Sequence, residues 1–176
     1  PTAQQEHICV IKIKIIICGL APYHTFEDDV CVADGYALGC SKTAKKKGLQ
    51  PSLKLVYNEL ERVYGGKMEK SNTDYGNVEC WAKQGVLMYN VALTTTEGKP
   101  GNHIQLWENF NRYFFETVIG QFNRGLCIIF LGEVAQKSMK YLNPMQHYLF
   151  PLMHPAANAR NDQEWNSDGA FRKIDK

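Results

Sequence analysis

The chain has 176 residues, of which 44% are hydrophobic and 22% charged, and a formal net charge of +2. That balance excludes a disordered or fibrous chain and fits one globular domain over residues 1–176, with enough length to bury a single core. No apolar run approaches the ~18 residues of a membrane span, so no membrane partner is expected.

The opening "PTAQQEHICVIKIKIIIC" lacks the pattern of a signal peptide, which points to an intracellular setting. Cysteines 9, 18, 31, 40, 80 and 127 are scattered, with no C-x-x-C pair. They read as free thiols in a reducing compartment, and no metal or iron–sulfur cofactor is expected. The first apolar run, "IKIIIC" (13–18), ends in "GLAPYHTF", a proline-stiffened turn that presents Tyr23 and His24. "SKTAKKKGLQPS" then concentrates lysines at 42, 45, 46 and 47, either as a solvated loop or as a patch that meets phosphates. In "PSLKLVYNELERVYGG", Leu53, Val56, Leu60 and Val63 recur at helical spacing, Ser52 can cap, and Gly65-Gly66 stops the run. "VLMYN" (86–90) is a second strand, ending on Asn90. A second amphipathic helix is predicted in "IQLWENFNRYFFETVIGQFN". Its expected core stripe is Ile104, Trp107, Phe110 or Asn111, Phe114, Val118 and Phe122. Two more strands, "LCIIFLG" (126–132) and "YLFPLMH" (148–154), run into Gly132-Glu133 and His154-Pro155.

Near-continuous apolar strands suit a parallel sheet covered on both faces, and their alternation with helices gives an α/β layered domain. Ligands of such sheets bind outside the carboxyl ends of the strands. Pro22-Tyr23-His24, Asn90, Gly132-Glu133 and His154-Pro155 would therefore converge on one cleft.

These pieces resemble the uracil-DNA glycosylase superfamily. "WAKQGVLMYNVALT" (81–94) is similar to the family's W-A-K-Q-G-V-L-L-L-N-x-x-L-T stretch, and "GLAPYH" (19–24) stands where G-Q-D-P-Y-H is usual. "PSL" (51–53) matches the proline-serine phosphate loop, and "FLGEVAQK" (130–137) resembles L-W-G-S-x-A-Q-K. "HPAANAR" (154–160) takes the place of H-P-S-P-L-S, in a form similar to the poxvirus branch. The resemblance implies a three-layer α/β/α fold around a central four-stranded parallel sheet. It also implies a cofactor-free, monomeric enzyme that hydrolyses the bond between a flipped-out pyrimidine and deoxyribose in single- or double-stranded DNA. The setting would be cytoplasm, nucleus or, for a viral product, the host cell. Extruding the base costs a few kcal/mol. Asn90 would read the base edge with one amide donor and one acceptor, and Tyr23 would crowd its C5 side. Gly19, Leu20, Ala21 and Cys40 would complete the base pocket. His154 would donate to the carbonyl of the leaving base, a contribution of several kcal/mol in a dry site. His24, Lys45, Lys46, Lys47, Pro51, Ser52, Gly132, Glu133, Asn158 and Arg160 would hold the DNA.

Several positions depart from the pattern. The family's water-positioning aspartate aligns with Ala21, its stacking phenylalanine with Cys40 and its phosphate-contacting serine with Glu133, and the intercalating leucine falls near Asn158. "GLAP" also opens the motif in a branch that lacks this aspartate and uses an acid farther along, but that branch carries cluster cysteines absent here. Breaking an N-glycosidic bond develops positive charge on the sugar, so a nearby carboxylate helps. The loop "HTFEDDVCVADGYALG" offers Glu27, Asp28, Asp29 and Asp34, with Asp34 first and Asp28 second as expected catalytic acids. The competing expectation is an inert DNA-binding or adaptor module on the same fold, with Ala21 natural or introduced.

Overall fold

A computed structural model describes residues 13–65, 76–122 and 125–174. Cys9 and Gly66, both singled out in the sequence, lie outside those residues. Strand β1 (Ile15–Gly19) leads into a small antiparallel hairpin of β2 (Phe26–Glu27) and β3 (Val30–Cys31). The main sheet is completed by β4 (Val86–Asn90), β5 (Cys127–Leu131) and β6 (Tyr148–Leu152), in the order β4-β1-β5-β6 with every pair parallel. The expected four-stranded parallel sheet is present, with each strand within two residues of its predicted start and end.

Side chains alternate between the faces of the sheet, as the strand period of two demands. Ile17, Met88, Ile129, Leu131 and Leu152 enter one core with Leu53, Val56, Trp165 and Phe171. Ile16, Cys18, Tyr89, Ile128 and Phe130 enter the other with Phe115 and Ile119. Fully burying one such large side chain contributes about 1.5–3 kcal/mol, so continuous apolar strands are stable here only because both faces are covered.

The first face is covered by α1 (Ser41–Lys47), α2 (Pro51–Tyr64), α3 (Glu79–Lys83) and, near the C-terminus, α7 (Ala170–Ile174). Ser52 does not cap α2: Gln50 occupies the cap position, Pro51 is the first helical residue, and Ser52 is buried one position later. Proline at that place loses no hydrogen bond, which is why the helix starts there. Glu59 fastens α2 to the C-terminal segment. Its buried carboxylate accepts from Arg62 at 2.7 and 2.9 Å and from Ser167 N at 2.9 Å. Burial alone would raise its pKa, yet those hydrogen bonds and the Arg62 charge hold it below the ordinary value.

Against the second face lies α4 (Ile104–Tyr113), continued by a π-helical turn over Phe114–Ile119. Asn111, one of the two alternatives expected at its place, is buried, and along the wider turn that follows Phe115 and Ile119 are buried where Phe114 and Val118 were expected. Phe110 is 42% exposed, and Phe114 instead stacks on Tyr89 with ring centroids 4.7 Å apart. After β5 come α5 (Glu133–Gln136) and a 3-10 turn, and α6 (Pro155–Arg160) follows β6. Among the described residues no helix is long and apolar enough to cross a membrane. The described cysteines, 18, 31, 40, 80 and 127, are free thiols.

Candidate functional site

At the carboxyl ends of the strands a cavity of about 790 Å³ opens. β1 contributes Gly19 and the turn from Leu20 to His24, β4 contributes Asn90, β5 contributes Gly132 and Glu133, and the turn after β6 contributes His154. Ser52 of α2 and Arg160 of α6 also line it. The four strand tips named in the sequence thus share one space, as a parallel sheet of this topology requires.

Asn90 is the last residue of β4 and pairs in register with Gly19. It is only 8% exposed, and no described residue hydrogen-bonds its side-chain amide. Gly19 is what lets the amide lie flat against β1, because a Cβ there would be 2.6 Å from Asn90 Oδ1. A buried amide with both donor and acceptor open is suited to a ligand carrying the complementary pair.

His154 caps the N-terminus of α6. Its Nδ1 accepts a hydrogen bond from Ala156 N at 3.0 Å. An accepting Nδ1 is unprotonated, so the proton of the neutral ring sits on Nε2, which becomes a donor. Burial, and then the charge of Arg160, push its pKa below the ordinary histidine value, which favours that neutral form. Gly132, at φ 85°, passes so close that an added Cβ would be 3.0 Å from His154 Cβ.

Tyr23 projects from the β1 turn, and its hydroxyl donates to the carbonyl of Leu38 at 3.4 Å. Burial, followed by the nearby Cys40 and Asp34, raises its pKa, so the phenol stays neutral. Leu38 has an unusual φ of 66° for a branched residue, and it lines the cavity. Cys40, expected in the base pocket, is fully buried away from the lining. It packs against Gly76, whose added Cβ would be 2.9 Å from its sulfur. Leu38, and not Cys40, is thus the residue of this segment that lines the cavity.

The two expected acids are placed elsewhere. Asp34 lies outside the cavity lining and accepts from Ser41 N at 2.9 Å, Ser41 Oγ at 2.8 Å and Tyr36 N at 3.3 Å. It fastens the loop to the start of α1. Asp28 and Asp29, at φ 49° and 62°, form the tip of the β2–β3 hairpin, a conformation that aspartate tolerates. The Asp28 carboxylate is in an ion pair with Lys47 at 3.4 Å. Glu27 accepts from Gln50 Nε2 at 2.9 Å.

Of the expected DNA-contacting residues, His24, Ser52, Gly132, Glu133 and Arg160 line the cavity, whereas Pro51 and Asn158 do not. Asn158 instead donates to the Glu164 carbonyl at 2.8 Å and so shapes the turn after α6. Lys45, Lys46 and Lys47 form the last turn of α1, outside the lining. The motifs did not single out Pro100, Met153 or Gln136, which also line it. Gln136 is held by a 2.9 Å bond to the Leu152 carbonyl, and the Pro100 loop is seated by Gly101 against Leu20. Among the described residues no group of three or more His, Cys, Asp or Glu is placed to hold a metal ion.

Comparison with known proteins gives one consistent answer. The family model described as "Uracil DNA glycosylase superfamily" matches residues 6–175. The uracil-DNA glycosylase of Salmonella arizonae is 31% identical over 147 residues, covering 82% of this chain and 58% of that protein. That of Mesomycoplasma hyopneumoniae is 31% identical over 163 residues, covering 92% and 68%. The crystal structure of mimivirus uracil-DNA glycosylase is similar at a TM-score of 0.72 and 25% identity, over 83% of this chain and 51% of that one. The chain thus spans about 58% of the length of the Salmonella relative.

Proposed function

The chain belongs to the uracil DNA glycosylase superfamily, and from that premise we propose that it is a DNA N-glycosylase. Its substrate is a flipped-out uracil or modified pyrimidine, and its products are the free base and an abasic site. The observation that carries the reading is the tautomer of His154. With Nδ1 engaged by Ala156 N, the ring offers Nε2–H to the cavity that also holds the open amide of Asn90.

The chemistry follows from those groups. Asn90 pairs with one carbonyl and one N–H of the base edge, which holds the extruded base against the sheet end. Tyr23 stands beside the base and limits substituents on that side. As the bond between sugar and base lengthens, its electron pair moves onto the base and gathers on a carbonyl oxygen. A neutral imidazole N–H stabilises that charge without having to lose a proton, and in a site walled by Leu20, Ala21 and Leu38 the interaction is little screened by water.

DNA is held by groups around the cavity in this reading. Ser52, His24, Gly132 and Arg160 all line it, and small turns and a guanidinium suit phosphates. Lys45, Lys46 and Lys47 supply sequence-independent attraction, Pro51 shapes the turn before Ser52, and Asn158 supports the segment nearest the duplex. Residues 1–176 act in this reading as a single glycosylase domain, monomeric and without a cofactor, inside the cell. Incubation with oligonucleotides carrying single uracils or modified pyrimidines, followed by alkali, tests the proposal. Strand scission at the altered base is expected, and intact strands across the panel would contradict it.

A further inference from the structure

Glu133, His154 and Ala21 line one cavity, each a few residues beyond the end of one of three neighbouring strands. The last β1–β5 pair is Cys18 with Phe130, and Ala21 and Glu133 each follow three residues later. The last β5–β6 pair is Leu131 with Leu152, and Glu133 and His154 each follow two residues later. Parallel neighbours lie ~4.8 Å apart, and all three residues line the cavity. Glu133 therefore follows the middle one of three neighbouring strands, flanked by the strands that lead to His154 and to Ala21.

Among the described residues Glu133 is also the one carboxylate in that lining. No described residue pairs with it, whereas Asp34 is held by Ser41, Asp28 by Lys47 and Glu27 by Gln50. A carboxylate cannot donate to a phosphate, and its charge repels one, so a purely DNA-gripping role suits it poorly.

We propose that Glu133 is the catalytic carboxylate of this chain, activating the attacking water and offsetting charge on the sugar. The inference rests on the N-glycosylase reading. In the step, the bond from the sugar C1′ to the base nitrogen breaks and its electron pair leaves with the base. Water oxygen bonds to C1′ as Glu133 takes one of its protons, which then passes to solvent. His154 keeps its own proton throughout and stabilises the departing base by donation.

Single-turnover base release from a uracil or modified-pyrimidine oligonucleotide tests this, with wild type, Glu133→Gln and the double variant Glu133→Gln/Ala21→Asp. Glu133→Gln is expected to slow release by ~100-fold or more, to bind the oligonucleotide at least as tightly, and to lose the carboxylate limb of the pH–rate profile. The double variant is expected to recover part of the rate, because a carboxylate returns to the same cavity lining. Glu133 is on the surface, and an unchanged melting temperature identifies the loss as chemical. A Glu133→Gln rate within twofold of wild type, with the same pH limb, overturns the inference and leaves the glycosylase reading standing. No base release by wild type overturns both.

Discussion

Gly19 and Asn90 are paired in register at the ends of β1 and β4, so close that a Cβ on the glycine would sit 2.6 Å from Asn90 Oδ1. No real Cβ makes such a contact, and Asn90 is too buried to step aside freely. Gly19→Ala is therefore expected to swing the amide out of its reading position. Base release should fall roughly 10- to 100-fold, the loss of one or two buried hydrogen bonds, and the forced contact should also lower the melting temperature. Wild-type kinetics in Gly19→Ala would show that the amide does not read the base.

Asp34 is engaged by its own loop, outside the cavity lining. Its carboxylate accepts from the backbone and hydroxyl of Ser41 and from Tyr36 N. Asp34→Asn brings an NH2 group against those donors and should destabilise the protein by about 1–2 kcal/mol. Denaturant unfolding reads that loss. Single-turnover cleavage by the folded fraction should stay within a few-fold of wild type, and a large loss of rate with full stability would return Asp34 to catalysis.

The sheet, its strand tips and their convergence were legible because two-faced burial forces an apolar run and a parallel topology gathers the ends. Asn90, Tyr23 and His154 stood where apolar period gave way to polar residues, so each was visible without coordinates. The acids were not legible. Asp28 and Asp34 lie in the right loop, but hairpin geometry turns Asp28 to Lys47 and local hydrogen bonding turns Asp34 to Ser41. The place of Leu38 in the lining was missed because its positive φ is a backbone feature that carries no side-chain signature. The π-helical turn after α4 likewise displaced the core stripe to Phe115 and Ile119.

Acid should destabilise the protein through two imidazoles, His147, which is buried, and His154, which is half-buried. Burial holds His147 below the ordinary histidine value, and burial with Arg160 does the same for His154. The unfolded chain takes up protons near pH ~6.5 that the folded chain refuses, so stability is full above that pH and declines as pH falls below it. His147 Nδ1 accepts from Leu126 N at 3.3 Å, a role that an asparagine carbonyl can take. His147→Asn is expected to melt with a weaker dependence on pH between 7 and 5. An identical dependence would remove His147 from the account.

The basic end of α1 should contribute to affinity without affecting chemistry. Lys45→Gln, Lys46→Gln and Lys47→Gln combined are expected to weaken DNA binding at low salt and to reduce the salt slope by about 2–3. Lys47 already shares its charge with Asp28, so the upper end of that range requires the DNA to displace that pair. An unchanged slope in a binding titration would make this helix end an ordinary solvated surface.

The central claim is that His154 and Asn90 act together on a base extruded into the cavity, and it is tested most directly by detecting that base. Wild type, His154→Ala and Asn90→Ala are each incubated in excess over a uracil or modified-pyrimidine oligonucleotide, and the small-molecule fraction is identified by mass. The account predicts free pyrimidine from wild type in amounts matching the abasic sites formed, with release slowed by ~100-fold or more in each variant. DNA binding by wild type with no base released, or release unaffected by either substitution, would contradict it.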